Sequence, residues 1–159
     1  VTDLRPPASH AVYEQWMGSA LALARSAVAD GDVPVGAVVV DADGAVLGEG
    51  RNRRTAEGDP LAHAEVLALR AAAQAHGSWR LDDYTLVVTL EPCPMCAGAA
   101  LQARVRRIVL GAWDAKAGAC GSVWDVAREQ RAPHWIEVVG GIREPECAAL
   151  LTDFFRARR

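Results

Sequence analysis

A chain of 159 residues, 51% hydrophobic and 23% charged, has the length of one compact domain and enough apolar material to pack a core without disulfide staples. Its formal net charge of −3 argues against nonspecific binding to nucleic acid, which needs basic side chains spread over many phosphates. Arginine does cluster, at Arg51, Arg53 and Arg54, at Arg104, Arg106 and Arg107, and at Arg156, Arg158 and Arg159, and each cluster taken alone reads first as solvated surface.

In chain order, apolar residues recur at helical spacing through Val12, Trp16, Ala20, Leu23 and Ala27, with Ser9 as cap and Gly31 as stop, so a packing helix is expected over 9–30. Val35 to Val40 is a β-branched run, and Asp43-Gly44 turns it into a second strand at about Ala45 to Glu49, an antiparallel hairpin. Arg51 to Asp59 reads as a loop. Asp59-Pro60 then supplies a cap and a first-turn proline for a helix that runs to about Ala75. Strands follow at Tyr84 to Leu90, Val105 to Leu110 and Trp135 to Val139, with a short helix at Pro94 to Ala103 and a last helix from about Pro145. Helices between the later strands allow parallel crossovers, so the expected fold is α/β: a mixed five-stranded sheet with helices on both faces, a three-layer α/β/α arrangement. The five tryptophans, Trp16, Trp79, Trp113, Trp124 and Trp135, are mostly core candidates.

The four cysteines do not form a disulfide framework: Cys93 and Cys96 are a tight pair, while Cys120 and Cys147 stand alone and read as packing residues. With no charged and apolar leader at Val1 to Asp3 and no apolar run near the length of a membrane span, a cytoplasmic chain with reduced thiols and no membrane partner is expected.

His63-Ala64-Glu65 falls near the start of one helix and Pro92-Cys93-Pro94-Met95-Cys96 at the start of another. Cysteines three apart at a helix start project to one side, where exposed N–H groups and the helix dipole favour thiolates. Zinc accepts thiolate and imidazole in tetrahedral geometry, and His63, Cys93 and Cys96 provide three ligands, leaving one position open. Water in that position has its pKa lowered to roughly 7. Glu65 lies about 200° from His63 around an ideal helix, so only a site beyond the helix end lets His63 hold the metal while Glu65 takes and delivers a proton.

Each residue alone has a plainer reading. Glu65 could merely complement the helix dipole, His63 could be structural, and the two cysteines could be a redox pair or part of a noncatalytic zinc module. Together, His-x-Glu followed by Pro-Cys-x-x-Cys is the signature of zinc-dependent deaminases.

At these residues the sequence resembles the cytidine deaminase-like superfamily and, within it, the bacterial tRNA adenosine deaminases. The narrower resemblance also rests on Val33-Pro34-Val35-Gly36-Ala37-Val38, on Asn52, on Asp59 through Glu65, and on Thr89-Leu90-Glu91-Pro92-Cys93 through Gly98-Ala99. It continues through Asp114-Ala115-Lys116-Ala117-Gly118, Gly121-Ser122, and the ending Glu146 to Leu151 with Phe154-Phe155-Arg156, and so spans about residues 12–159. It implies a single zinc-dependent deaminase domain over 1–159, one zinc ion per subunit, a homodimer, and conversion of adenosine to inosine at the wobble position of a tRNA anticodon stem-loop with release of ammonia. It further implies that Asn52 and the Ala64 backbone hold the base, that Val35 walls the pocket, and that Asp114 and Phe155 touch neighbouring nucleotides. Arg156, Arg158 and Arg159 become candidates for phosphate contacts. Pro94 between the cysteines, Arg51 before Asn52, and Cys120 depart from the family pattern without removing a catalytic group. The alternative on the same zinc chemistry is a deaminase of a free base or nucleoside: cytosine, guanine or adenosine.

Overall fold

A computed structural model of the chain describes residues 8–159; the Val1 to Asp3 stretch searched for a leader lies outside them. The expected first helix is α1 (His10–Ala27), capped by the Ser9 hydroxyl, which accepts from the Val12 N–H, and closed by a 3-10 turn at Val28–Asp30 with Gly31 left-handed. The hairpin is β1 (Gly36–Val40) and β2 (Val46–Arg51). After it come α2 (Arg54–Glu57), α3 (Ala64–His76), β3 (Thr85–Leu90), α4 (Pro94–Gln102), β4 (Arg107–Ala112), β5 (Glu137–Val139) and α5 (Glu144–Arg156).

The strands form one sheet in the order β2-β1-β3-β4-β5. β1 is antiparallel to both β2 and β3, whereas β3, β4 and β5 run parallel. This order has a direct consequence for the site. Because β1 and β3 are antiparallel, with Ala37 opposite Val88, the residues leading into β1 lie beside the carboxyl end of β3. The pairing of Gly36 with Arg51 brings the end of β2 to the same edge. Val35, Asn52 and Glu91 therefore converge where open α/β sheets place their ligands, outside the carboxyl ends of parallel strands.

Alternation along the strands splits the core into two layers. Ala37, Val39, Leu86, Val88, Ile108 and Leu110 pack with Ala64, Ala68, Leu69 and Ala72 of α3 and with Ala97 and Ala100 of α4. Val38, Val40, Val87 and Val109 face α1 and Cys147 of α5. The small residues are needed. A methyl group at Gly50 would overlap the Ala64 carbonyl and crowd the Ala68 nitrogen, so the backbone of α3 lies directly on β2.

Two sequence expectations fail here. The tryptophans are not mostly core residues: Trp79, Trp113, Trp124 and Trp135 are exposed, while Trp16 of α1 is half-buried against the second core layer. Where α3 lies on β2, glycine and alanine let the backbones approach too closely for indoles, and an indole on the surface can bond a loop instead. Trp135, for one, donates from Nε1 to the Glu129 carbonyl. The 51–59 segment is also not all loop, since it contains α2. No helix among the described residues is long and apolar enough to cross a membrane.

Candidate active site

The sequence predicts a helix opening at Asp59-Pro60 with His63 inside it; the structure shortens it. The Asp59 carboxylate accepts the Leu61 N–H at 2.9 Å and its carbonyl accepts the Ala62 N–H at 3.2 Å, closing a separate turn. An aspartate that bonds to the backbone two residues on competes with helix continuation. The chain then extends at His63 (φ −75°, ψ 149°), which is the N-cap of α3, and Glu65 is the second helical residue. His63 is thus not constrained to the helical 100° step, and the end-on arrangement required of His63 and Glu65 follows from the cap. Cys93 occupies the same place on α4: it is the N-cap (φ −72°, ψ 173°), Pro94 fills the first turn where no N–H is needed, and Cys96 lies one turn in.

The three donor atoms converge. His63 Nδ1 lies 3.7 Å from Cys93 Sγ and 3.5 Å from Cys96 Sγ, and all three ligand atoms fall within 4.8 Å of one another. Zinc bonds of about 2.0–2.1 Å to nitrogen and 2.3 Å to sulfur at tetrahedral angles predict N···S edges of about 3.6 Å. The donor set fits the ion. Among the described residues this group has three ligands, not the four that close a structural site.

The electrostatics agree. The Cys93 thiol is held down to about 4, first by its hydrogen bond with Cys96 and also by His63. Cys96 is pushed up by the same contact, then by burial and by Glu65. The hydrogen bond with Cys93 raises His63. Glu65 is only 4% exposed; burial pushes its carboxyl up to about 7, with the Cys93 charge adding to the rise. A carboxyl near 7 both accepts and releases a proton at neutral pH.

His63, Ala64, Glu65 and Cys93 border a cleft of about 200 Å³. Val33, Val35, Leu90 and Ala117 supply apolar surface, and Asn52, Arg54, Glu91 and Asp114 polar groups. Ala64 begins α3, so its N–H is among the first of the helix, which have no partner within it. Asn52 is fixed by donating from Nδ2 to the Val33 carbonyl (3.2 Å) and accepting the Arg54 N–H at Oδ1 (3.1 Å), which leaves one amide hydrogen for a ligand. A larger cavity of about 390 Å³ lies at the other end of the sheet, beside Asp41, Thr85 and Arg107, away from the metal-ligand cluster.

Sequence-predicted residues are not all gathered here. Phe155 and Arg156 line a separate groove on α5 with Leu151, Thr152 and Arg159. Arg51 turns away, bonding Asp30 at 3.0 Å and Ser26 at 3.2 Å. Cys120 and Cys147 are buried and outside the ligand group, with burial pushing their thiols up to about 12 and about 11. Three residues of the site's surroundings were not singled out from sequence. Arg54 lines the cleft although its cluster reads as surface. Asp32, 1% exposed, accepts the Thr55 and Ala56 N–H groups at 2.7 and 3.0 Å. Glu91, 2% exposed, accepts from Asp114 N (2.8 Å), Cys120 N (3.0 Å), Ser122 N (3.0 Å) and the Ser122 hydroxyl. The only sequence signal for Glu91 was its place two residues before Cys93.

Residues 11–112 match the family described as the cytidine and deoxycytidylate deaminase zinc-binding region. The tRNA-specific adenosine deaminase of Bacillus subtilis is 44% identical over 146 residues, which is 92% of this chain and 90% of that protein. The tRNA(Ile)-lysidine synthase of Deinococcus radiodurans is 54% identical over 142 residues, 87% of this chain, but the chain spans only 24% of that protein's length. A solved structure from work on A-to-I editing by tRNA:A34 deaminases at the wobble position of transfer RNA superposes with a TM-score of 0.82 at 42% identity, covering 86% of this chain and 99% of that one.

Proposed function

The chain belongs to the cytidine and deoxycytidylate deaminase zinc-binding family, and we propose that it is a single-domain hydrolytic deaminase that converts adenosine to inosine at the wobble position of a tRNA anticodon. Water is consumed and ammonia released. The observation that carries this reading is the three-ligand cluster of His63, Cys93 and Cys96 with buried Glu65 on the floor of the same cleft. The RNA substrate is supported by the B. subtilis relative and the tRNA:A34 structure, both above 40% identity across most of the chain.

In this reading His63, Cys93 and Cys96 hold one zinc ion per subunit, which when bound supplies an open position and an acidified water. Glu65 takes the proton released as water adds to C6 of the adenine and delivers it to the ring nitrogen; it then takes the proton of the new C6 hydroxyl and passes it to the amine, which leaves as ammonia as the C6–N bond breaks and the C6 carbonyl forms. Its buried carboxyl, raised to about 7, suits both halves of that exchange. Asn52 and the Ala64 N–H hold the base against Val35. Asp114 contacts a neighbouring nucleotide, and Phe155 with Arg156 on α5 extends the RNA surface beyond the cleft. We further propose a cytoplasmic homodimer, supported by the exposed apolar side chains of Leu61, Val123 and Trp124.

The test is inosine formation in a synthetic anticodon stem-loop with a wobble adenosine, comparing the intact protein with Glu65→Ala at equal zinc content. Loss of about 10²–10⁴-fold in the variant is expected for removal of a general acid–base. An intact, zinc-loaded protein that ignores the stem-loop but deaminates free adenosine, guanine or cytosine overturns the RNA assignment.

A further inference from the structure

Glu91 is a buried carboxylate with no cation among its hydrogen-bond partners and no part in the chemistry above. It caps a loop instead. The segment from Asp114 to Ser122 folds around it, with Asp114 N and the Ser122 hydroxyl on Oε2, and Cys120 N and Ser122 N on Oε1. The approach is close enough that a methyl group on Gly118 would overlap Oε2. Backbone bonds complete the attachment: Glu91 N donates to the Ala112 carbonyl at 2.8 Å, and Ala119 N to the Pro92 carbonyl at 2.8 Å. The same loop contributes Asp114 and Ala117 to the cleft, which Glu91 itself borders two residues before Cys93; its carboxylate oxygens are both taken up by the loop.

Four donors on one buried carboxylate leave the loop a single placement. Charge-assisted bonds are the strong ones, and replacing one acceptor oxygen with an amide sets N–H against N–H. We propose that Glu91 is a positioning residue that fixes the 114–122 segment as a substrate-binding wall of the cleft, and so governs how tightly substrate is held. This rests on the deaminase reading above, because it assigns the wall to that substrate.

The experiment compares the intact protein, Glu91→Gln and Ser122→Ala for KM and kcat on the stem-loop, for zinc per chain, and for amide hydrogen exchange at Asp114, Cys120 and Ser122. Glu91→Gln is expected to raise KM by roughly 10- to 100-fold, the scale of losing a hydrogen bond to a charged group. Ser122→Ala, which leaves the Cys93 turn untouched, should move KM in the same direction by less. Exchange should quicken in both while zinc stays at one per chain. A merely structural residue would lower the folded fraction, and hence kcat per protein, with KM unchanged. That outcome overturns the proposal, as does loss of zinc in place of a KM effect. If Glu91→Gln fails to fold, Ser122→Ala decides. If the intact protein is inactive on the stem-loop, only the RNA reading falls; the KM comparison is then made on the free base or nucleoside it does deaminate, and an unchanged KM there is equally fatal.

Discussion

Replacing Asp32 with asparagine removes half of a buried cap and leaves its shape. The two carboxylate oxygens bind the Thr55 and Ala56 N–H groups at 2.7 and 3.0 Å, early N–H groups of α2 that the helix itself cannot satisfy. Asparagine keeps a carbonyl for one N–H and sets its NH2 against the other. Hydrogen bonds to a charged group contribute about 1.5–3 kcal/mol each, so Asp32→Asn should cost about that much. Asp32→Ala should cost somewhat more, limited because Thr55 and Ala56 are exposed to water. With a urea slope of about 1–3 kcal/mol/M, the Asn variant's midpoint falls by about 1 M at pH 7. The pH dependence has a definite sign. Burial raises the Asp32 carboxyl, but the N–H groups of Thr55 and Ala56 outweigh it and hold the folded value below the usual one. The stabilisation is then complete above the unfolded value of about 4 and is lost as pH falls through the folded value. Urea midpoints of the two proteins should differ at pH 7 and converge in acid. A gap that persists unchanged down to pH 2, or no gap at pH 7, refutes the assignment.

Gly50→Ala places a methyl group against the backbone of α3 at Ala64 and Ala68; overpacking of this kind costs about 1–3 kcal/mol. It should also shift Glu65, so kcat falls along with the melting temperature, and an unchanged kcat in folded protein would show that β2 does not place this helix end. Chelation should abolish turnover and lower the melting temperature, with both restored by one equivalent of zinc. A melting temperature indifferent to chelator would show that His63, Cys93 and Cys96 do not hold the ion.

What was legible in the sequence was local. Apolar spacing gave α1, β-branched runs flanking Asp43-Gly44 gave the hairpin, and Cys-x-x-Cys after a strand gave the ligand turn at α4. The start of α3 was misplaced because Asp59-Pro60 satisfies every rule for a helix start, yet Asp59 spends its side chain on Leu61 and ends its turn at Ala62. Both rules are physically sound, and the competition between them is settled only by the fold. The roles of Asp32 and of Glu91, the latter quoted only within the Thr89 to Cys93 motif, were not legible for another reason: their partners lie more than 20 residues away, where no periodicity records the pairing. Four of the five tryptophans were misassigned because volume ranks them as core, while close backbone packing at Gly36, Gly48 and Gly50 leaves no room for an indole where those strands meet their helices.

The cleft is therefore held by two kinds of support. Its floor rests on helix caps: His63 and Cys93 take extended backbone at the ends of α3 and α4, and the sheet fixes those ends through direct backbone contact at β2 and the β3–α4 turn. Its walls are loops hung on carboxylates, Asp32 holding the α2 side and Glu91 the 114–122 side, and the two share no hydrogen-bond partner. Under the proposed function, a rigid floor holds water, proton donor and reacting carbon in register, which is where positioning lowers a barrier. The α2 wall is fastened apart from that floor, whereas the 114–122 wall hangs on Glu91 and the Pro92 carbonyl, directly before the ligand Cys93. Under the same proposed function, Asn52, Arg54 and Asp114 on those walls set substrate choice, and Glu65 with the three ligands carries the chemical step.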